Sequence, residues 1–126
     1  MLEAAVTLIE AAIRRSELVV TYDLAEMRLS ANTGYVEGSV TFTNGARLIF
    51  FEFFRQTANE TAREKYRYHF MDADNRPIFR YDNAPHHPEV ASFPHHKHLG
   101  LEIAASSAPR FVAVFGEVEL HVLGIT

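Results

Sequence analysis

Five of the seven histidines in this chain of 126 residues lie between His86 and His98. The stretch contains two Pro-His-His units, at 85–87 and 94–96, and it ends with a further histidine. Imidazole has an ordinary pKa of about 6.5, so it exchanges protons near neutral pH, and it is also the commonest metal ligand in proteins. Any one of these histidines is more often structural than catalytic, but five together indicate a functional surface.

The composition is that of an ordinary globular domain, with 48% hydrophobic and 22% charged residues. The formal net charge of -4 argues against a general electrostatic attraction to nucleic acid, although clustered arginines and histidines could still bind phosphate locally. The chain has no cysteine, which fits a reducing cytoplasm. It shows neither the pattern of a signal peptide nor an apolar run that could cross a membrane, so we expect a cytoplasmic protein.

Helices are predicted at the two ends of the chain. In residues 2–15 the apolar positions recur at spacings of three and four, which is typical of an amphipathic helix. Residues 107–123 show a similar apolar side, with Ser106 or Ser107 as N-cap and Pro109 in the first turn. The β-branched and aromatic character of this second segment leaves a strand as the alternative.

The sequence Asn44-Gly45, between residues 34–43 and 46–55, is a strong signal for a β-hairpin. A two-residue turn would place one set of apolar side chains on the core face: Val40, Phe42, Ile49, Phe51 and Phe53. Glu52 would then lie in the middle of the opposite face.

A second hairpin is predicted from residues 65–71 and 76–83, with its turn at 72–75. A loop of two or four residues puts the aromatic side chains on one face and four polar ones on the other, whereas a three-residue loop with a bulge would break the pattern. The aromatic set is Tyr66, Tyr68, Phe70, Phe79 and Tyr81. The polar set is Arg67, His69, Arg80 and Asp82.

With a further strand at residues 18–29, these elements predict one α+β domain over residues 1–126. We expect an antiparallel sheet of four or five strands with both helices packed on one face. A loop rich in histidine and proline would follow the second hairpin and end near Gly100.

Placing the two hairpins side by side brings Glu52 onto the same face as the polar set of the second hairpin, and the histidine loop could fold across that face. Such a group of side chains suits RNA cleavage without a metal or other cofactor, which needs a base for the 2′-hydroxyl, an acid for the leaving 5′-oxygen and cations for the phosphate. The predicted catalytic residues are Glu52, Arg80, Asp82, His86, His87, His95, His96 and His98. The predicted substrate-binding residues are Arg67, His69, Tyr81 and Lys97.

The same side chains could instead bind zinc or another divalent metal, although the spacing matches no common zinc motif. Neighbouring side chains such as His86 and His87 diverge, while His96 and His98 share a face if that segment is extended. If a metal is bound, the predicted ligands are Asp82, His86, His96 and His98. A metal-dependent phosphodiesterase and a non-enzymatic module that binds a metal or a partner therefore remain alternatives.

The segment Ile78–Glu89, followed by Phe93–His98, resembles the signature of the TumE family of toxin–antitoxin proteins. The similarity runs from about Tyr66 to His98, with a weaker pattern at 44–48 and at Glu52. The resemblance implies a toxin of a type II-like toxin–antitoxin module, which cleaves RNA. Its implied partner is a neutralising antitoxin with a helix-turn-helix domain. The resemblance does not decide whether the toxin forms a homo-oligomer. By motif position it implies these site residues: Arg80, Asp82, His86, His87, His95, His96 and His98, together with Glu52 and Tyr81.

Overall fold

A computed structural model describes residues 2–125 of the chain. The elements, in chain order, are α1 (Leu2–Arg15), β1 (Val19–Arg28), β2 (Thr33–Phe42), β3 (Arg47–Gln56), β4 (Thr61–Met71), β5 (Pro77–Asp82), β6 (His96–Leu99), β7 (Glu102–Ala105) and α2 (Phe111–Val122). Every strand pairs antiparallel with the next, which gives a seven-stranded sheet in sequence order. The predicted α+β class with a helix at each end is confirmed, but the sheet has seven strands rather than four or five.

Both helices contribute apolar side chains to one core on the same face of the sheet. From the helices this core takes Leu2, Ile9, Ala12, Ile13, Phe111, Val114, Phe115 and Val118, and from the strands it takes Val36, Val40, Phe42, Leu48, Phe50, Tyr68, Phe70 and Phe79. We call the opposite side of the sheet, which neither helix covers, the open face. In the part of the chain that the structure describes, no helix is long and apolar enough to cross a membrane.

The C-terminal segment is a helix, as predicted, but it begins later than expected. Arg110 is the N-cap residue, in an extended conformation and without a side-chain capping hydrogen bond. The expectation that Ser106 or Ser107 caps the helix, with Pro109 in its first turn, is therefore wrong. The residues before Phe111 form an extended connection from β7 instead.

The first hairpin closes with a loop of three residues rather than two. The amide of Gly45 donates to the carbonyl of Phe42 at 2.9 Å, and the amide of Phe42 donates to the carbonyl of Ala46 at 2.9 Å. Gly45 has a φ of 85°, the left-handed conformation that this turn requires and that glycine adopts without strain.

The extra loop residue reverses the predicted sidedness of β3. Val40 pairs with Leu48, whereas a two-residue turn would have paired it with Ile49. Because side chains alternate along a strand, a shift of one residue exchanges the two faces. The core face of β3 therefore carries Leu48, Phe50, Glu52 and Phe54, and the open face carries Ile49, Phe51 and Phe53.

The sidedness predicted for the second hairpin is confirmed, although its loop was not expected. Asp72 and Arg76 close another three-residue loop, in which Asn75 has a φ of 65°. A register shift between Phe70 and Met71 then restores the original alternation. As a result Tyr68 pairs with Tyr81 on the core side, and the predicted polar set lies on the open face.

Two short strands, β6 and β7, replace the end of the predicted histidine loop. They form a hairpin whose turn contains Gly100, with a φ of 60°. The irregular loop is confined to residues 83–95 and includes a cis peptide bond between Phe93 and Pro94. His96 and His98 consequently lie in a strand that pairs with β5.

Candidate functional site

The carboxylate of Asp82, at the end of β5, lies at the centre of the candidate site. The residue is only 3% exposed. It accepts hydrogen bonds from Nε of Arg80 at 2.8 Å and from the amide of Ala84 at 3.0 Å. Nε2 of His96 lies 2.9 Å from its Oδ1. A buried carboxylate requires partners of this kind, because burial of an unpaired charge is costly.

Two imidazoles, those of His96 and His98, lie against this carboxylate, and that of His87 lies next to both; we call His87, His96 and His98 the imidazole cluster. In the β5–β6 ladder His96 lies opposite Asp82 and His98 lies opposite Arg80, so all four side chains share the open face. His87 comes from the loop, and its ring centroid is 5.0 Å from that of His96 and 5.6 Å from that of His98. The sequence prediction that His96 and His98 share a face is therefore confirmed.

The ring nitrogens of the cluster differ in their partners. Nδ1 of His87 lies 3.1 Å from a carboxylate oxygen of Glu89, and Nδ1 of His96 lies 2.8 Å from the carbonyl oxygen of Pro94. Nε2 of His98 is buried and has no hydrogen-bond partner among residues 2–125. Nδ1 of His87 and Nδ1 of His96 thus each lie next to an acceptor, while Nε2 of His96 and Nε2 of His98 face Asp82.

Cations lie next to the cluster on the same face of the sheet. Arg67 pairs with Asp82 across β4 and β5, and His69 pairs with Arg80. Two clefts open here, and Arg80 lines both. The first cleft is lined by Phe51, Lys65, Tyr66, Arg67, Arg80, Asp82, Asn83, Ala84 and Pro85. The second is lined by His69, Pro77, Phe79, Arg80, His98 and Gly100.

Two of the imidazoles at the second cleft titrate below their usual range. Burial lowers the pKa of His69, and the nearby charges of Arg80 and Arg67 lower it further. Burial also lowers the pKa of His98, with the positive charge of Arg80 as the next cause. Both rings are therefore neutral at pH 7, the state in which an imidazole accepts a proton.

Comparison with known families assigns the chain to one of them. The model of a family described as Toxin TumE matches residues 9–122, nearly the whole chain. The chain belongs to the TumE toxin family. It is therefore a toxin of a toxin–antitoxin system and has an antitoxin as partner. No curated protein and no solved structure matches this TumE chain.

Glu52 was expected on the open face, but in this TumE toxin it lies on the core face, because the first hairpin has the longer loop. It is 4% exposed and accepts a hydrogen bond from the hydroxyl of Tyr68. Its carboxylate is 3.7 Å from the guanidinium of Arg63. The structure thus separates Glu52 from the imidazole cluster by the thickness of the sheet.

Arg63 is a buried charged residue that sequence reasoning missed. Its guanidinium donates to the hydroxyl of Tyr68 and to the carbonyl oxygen of Pro109 just before α2, and it lies 4.1 Å from the centroid of the Tyr66 ring. Arg63 lies between the two predicted hairpins, and nothing in the local sequence pattern distinguishes it from the exposed charged residues around it. Only the β3–β4 pairing, with its register shift between Phe53 and Phe54, turns Arg63 toward the core.

Two residues predicted to bind substrate also lie on the core side of the TumE sheet. Nζ of Lys97 is 2.7 Å from a carboxylate oxygen of Glu117 in α2, and it lies 4.7 Å from the centroid of the Tyr81 ring. The hydroxyl of Tyr81 donates to the same carboxylate at 2.7 Å. Lys97 and Tyr81 therefore attach the end of the sheet to α2, away from the cluster.

The remaining two loop histidines are not brought into the imidazole cluster. Nδ1 of His95 shares a hydrogen bond of 2.8 Å with the hydroxyl of Tyr66, and the two rings are stacked. Burial raises the pKa of Tyr66 to about 12, so this hydroxyl keeps its proton at neutral pH. His86 is exposed to solvent. The structure thus selects three of the five predicted loop histidines.

Proposed function

We propose that this TumE toxin inhibits growth by cleaving RNA on the open face of its sheet. The observation that carries the proposal is the position of Arg80, which lines a cleft with Arg67 and Lys65 on one side and a cleft with His69 on the other. A phosphodiester bound at Arg80 would therefore lie between further cations and a neutral imidazole. Cations fix and neutralise phosphate, and an imidazole of lowered pKa is suited to proton abstraction at pH 7.

In the proposed reaction Arg67 and Arg80 bind the scissile phosphate, and His69 accepts the proton of the adjacent 2′-hydroxyl. The 2′-oxygen bonds to phosphorus and the bond to the 5′-oxygen breaks, with a proton for the leaving oxygen supplied by water. The products are a 2′,3′-cyclic phosphate and a 5′-hydroxyl. Stabilisation of the developing charge by the arginines is expected to be a large part of the rate enhancement.

Asp82 and the imidazole cluster would act in this scheme as positioning groups for Arg80. The guanidinium is held through its Nε, which leaves the other nitrogens of the planar group free to bind phosphate. Asp82 is itself fixed by His96 and by the amide of Ala84. Because these contacts already restrict the Arg80 side chain, it loses less conformational entropy when it binds a substrate.

We further propose that the toxin acts in the cytoplasm, where its RNA substrates are found. As the family resemblance implies, we expect the antitoxin to carry a helix-turn-helix DNA-binding domain. An antitoxin that covers the open face would exclude RNA from both clefts and so neutralise the toxin.

The test is expression of single alanine variants without the antitoxin, together with RNA cleavage by the purified proteins. Arg80→Ala and His69→Ala should each abolish growth inhibition and reduce cleavage by at least about 100-fold. Arg76→Ala is the matched control, because Arg76 is an exposed arginine in the turn of the same hairpin, and it should keep full activity. End analysis of the cleaved RNA should find 2′,3′-cyclic phosphates.

Three outcomes would contradict the proposal. RNA that stays intact with a toxic wild-type protein would favour the non-enzymatic alternative. Fragments with 5′-phosphate ends would indicate attack by water, as in a metal-dependent phosphodiesterase. Full toxicity of both folded variants would remove Arg80 and His69 from the mechanism.

A further inference from the structure

Two ring nitrogens near Asp82, Nε2 of His96 and Nε2 of His98, are not both satisfied by any one arrangement of protons in the described residues. The carbonyl oxygen of Pro94 can only accept, so the 2.8 Å contact requires a proton on Nδ1 of His96. In the neutral ring, Nε2 of His96 then carries a lone pair that faces Oδ1 of Asp82 at 2.9 Å. Two acceptors at this distance repel each other unless a cation lies between or beside them.

A proton on Nε2 of His96 would remove that repulsion, but it would leave the neighbouring ring unsatisfied. Nε2 of His98 is buried, lies 3.6 Å from Oδ2 of Asp82, and has no hydrogen-bond partner in the described part of the chain. Buried polar nitrogens are rarely left without a partner. A single metal ion could satisfy both inner nitrogens and the carboxylate together.

The ring of His87 lies close enough to the other two to share a metal ion with them. One ring nitrogen from each of His87, His96 and His98 lies within 4.8 Å of the other two. Nδ1 of His87 lies next to the Glu89 carboxylate, and Nδ1 of His96 lies next to the carbonyl oxygen of Pro94. Metal-binding histidines commonly bond a carboxylate or a backbone carbonyl through the nitrogen that does not face the metal.

We propose that His87, His96 and His98 bind a divalent transition metal of the zinc type, with Asp82 as the fourth ligand. Three imidazoles and one carboxylate are a ligand set that Zn²⁺ accepts in tetrahedral geometry, at distances of about 2.0–2.2 Å. The set resembles the one considered from the sequence, except that His87 replaces His86. Metal binding would draw the His87 ring toward His96, His98 and Asp82.

The metal would add a further connection between elements of the site. It would link the loop at 83–95 to β5 and β6, and it would fix the Asp82 carboxylate that holds Arg80. Asp82 lines the cleft that contains Lys65 and Arg67, but its carboxylate accepts the hydrogen bond from Nε of Arg80, so the ion would act by fixing the group that holds this arginine. The metal is therefore proposed as a structural centre, and its test does not depend on RNA cleavage.

The experiment uses full-length protein without a histidine tag, first treated with a chelator and then titrated with Zn²⁺ and Co²⁺. We expect one equivalent of metal per chain, a rise in the melting temperature with Zn²⁺, and the intense visible absorption of tetrahedral Co²⁺. The outer-partner variant Glu89→Gln should weaken Zn²⁺ binding by about 10–100-fold. His87→Ala should weaken it more and should remove the tetrahedral Co²⁺ spectrum.

His86→Ala is the matched control, since it removes the adjacent exposed imidazole, and it should bind metal as the wild type does. The proposal is overturned if the folded wild-type protein takes up no stoichiometric metal, or if Co²⁺ gives only the weak spectrum of an octahedral surface ion. It is also overturned if His86→Ala and His87→Ala bind metal equally well. The measured quantities are metal content, visible spectrum and melting temperature. The metal proposal can therefore be tested even if the protein does not cleave RNA.

Discussion

The guanidinium of Arg63 lies 3.7 Å from the carboxylate of Glu52, and each side chain is only 5% exposed. The pair is buried on the core face of the sheet, near the start of α2, and Tyr68 bonds to both partners. Two charges can be buried together because each compensates the other, whereas one alone is strongly unfavourable. This relationship makes Glu52 a structural residue in the architecture described above.

Glu52→Gln should therefore lower the free energy of unfolding by about 3–5 kcal/mol, because it leaves the Arg63 guanidinium buried without a counter-charge. Glu64→Gln is the control: it removes an equivalent carboxylate from the exposed pair with Arg55, where the cost should be at most about 1 kcal/mol. Urea denaturation measures both values. Equal effects of the two variants would show that the buried pair is not formed, and a stable Glu52→Gln protein without toxicity would restore the catalytic role predicted from the sequence.

Asp82→Asn should affect both stability and activity, because it removes the negative charge that Arg80 and His96 both contact. We expect a loss of about 1–3 kcal/mol of unfolding free energy, because Asp82 is buried but solvent screens its pair with Arg80, whose side chain is 40% exposed. At a temperature where the variant is folded, RNA cleavage should also fall, since Arg80 is no longer oriented toward the phosphate. The measurements are urea denaturation and cleavage of a fixed RNA oligonucleotide.

Asp74→Asn serves as the control for this experiment, because Asp74 is an exposed residue in the turn of the second hairpin. It should change neither quantity. If Asp82→Asn cleaves RNA at the wild-type rate while remaining folded, Asp82 does not position Arg80 for the reaction.

The sequence predicts correctly which side chains of β4 and β5 lie on the open face, but it assigns the side chains of β3 to the wrong faces. The reason lies in the hydrophobic pattern of β3. The segment from Leu48 to Phe54 carries large apolar side chains on both faces, so alternation cannot decide which face is buried. The turn decides, and Asn44-Gly45 is compatible with loops of two and of three residues. On the second hairpin the aromatic and polar residues alternate cleanly, so the sidedness follows from the sequence.

The choice among the loop histidines was also beyond sequence reasoning. Alternation relates His96 to His98 once that segment is known to be a strand, but β6 has only four residues and follows a proline-rich stretch. No such periodicity exists in the irregular loop that carries His86 and His87. The difference between an exposed His86 and a His87 beside His96 and His98 arises from how the loop folds against β5 and β6.

The titration of His69 predicts how stability depends on pH. Its pKa in the folded protein is lowered by burial and by the charges of Arg80 and Arg67, whereas in the unfolded chain it is close to the ordinary value of about 6.5. The unfolded state therefore binds the proton more readily than the folded state does. The contribution to stability is fully present above about pH 6.5 and is lost as the pH falls toward the lowered folded value.

We expect the unfolding free energy of the wild type, measured with a chelator present, to decrease between about pH 7 and about pH 5. His69→Gln should show a smaller decrease over the same interval, while His86→Gln, which alters an exposed ring, should keep the wild-type slope. Urea denaturation at each pH gives the slopes, and an NMR titration of the His69 ring should place its pKa below the ordinary value. A slope that is unchanged in His69→Gln would show that this ring is not held neutral by the folded structure, and it would count equally against His69 as the proposed base.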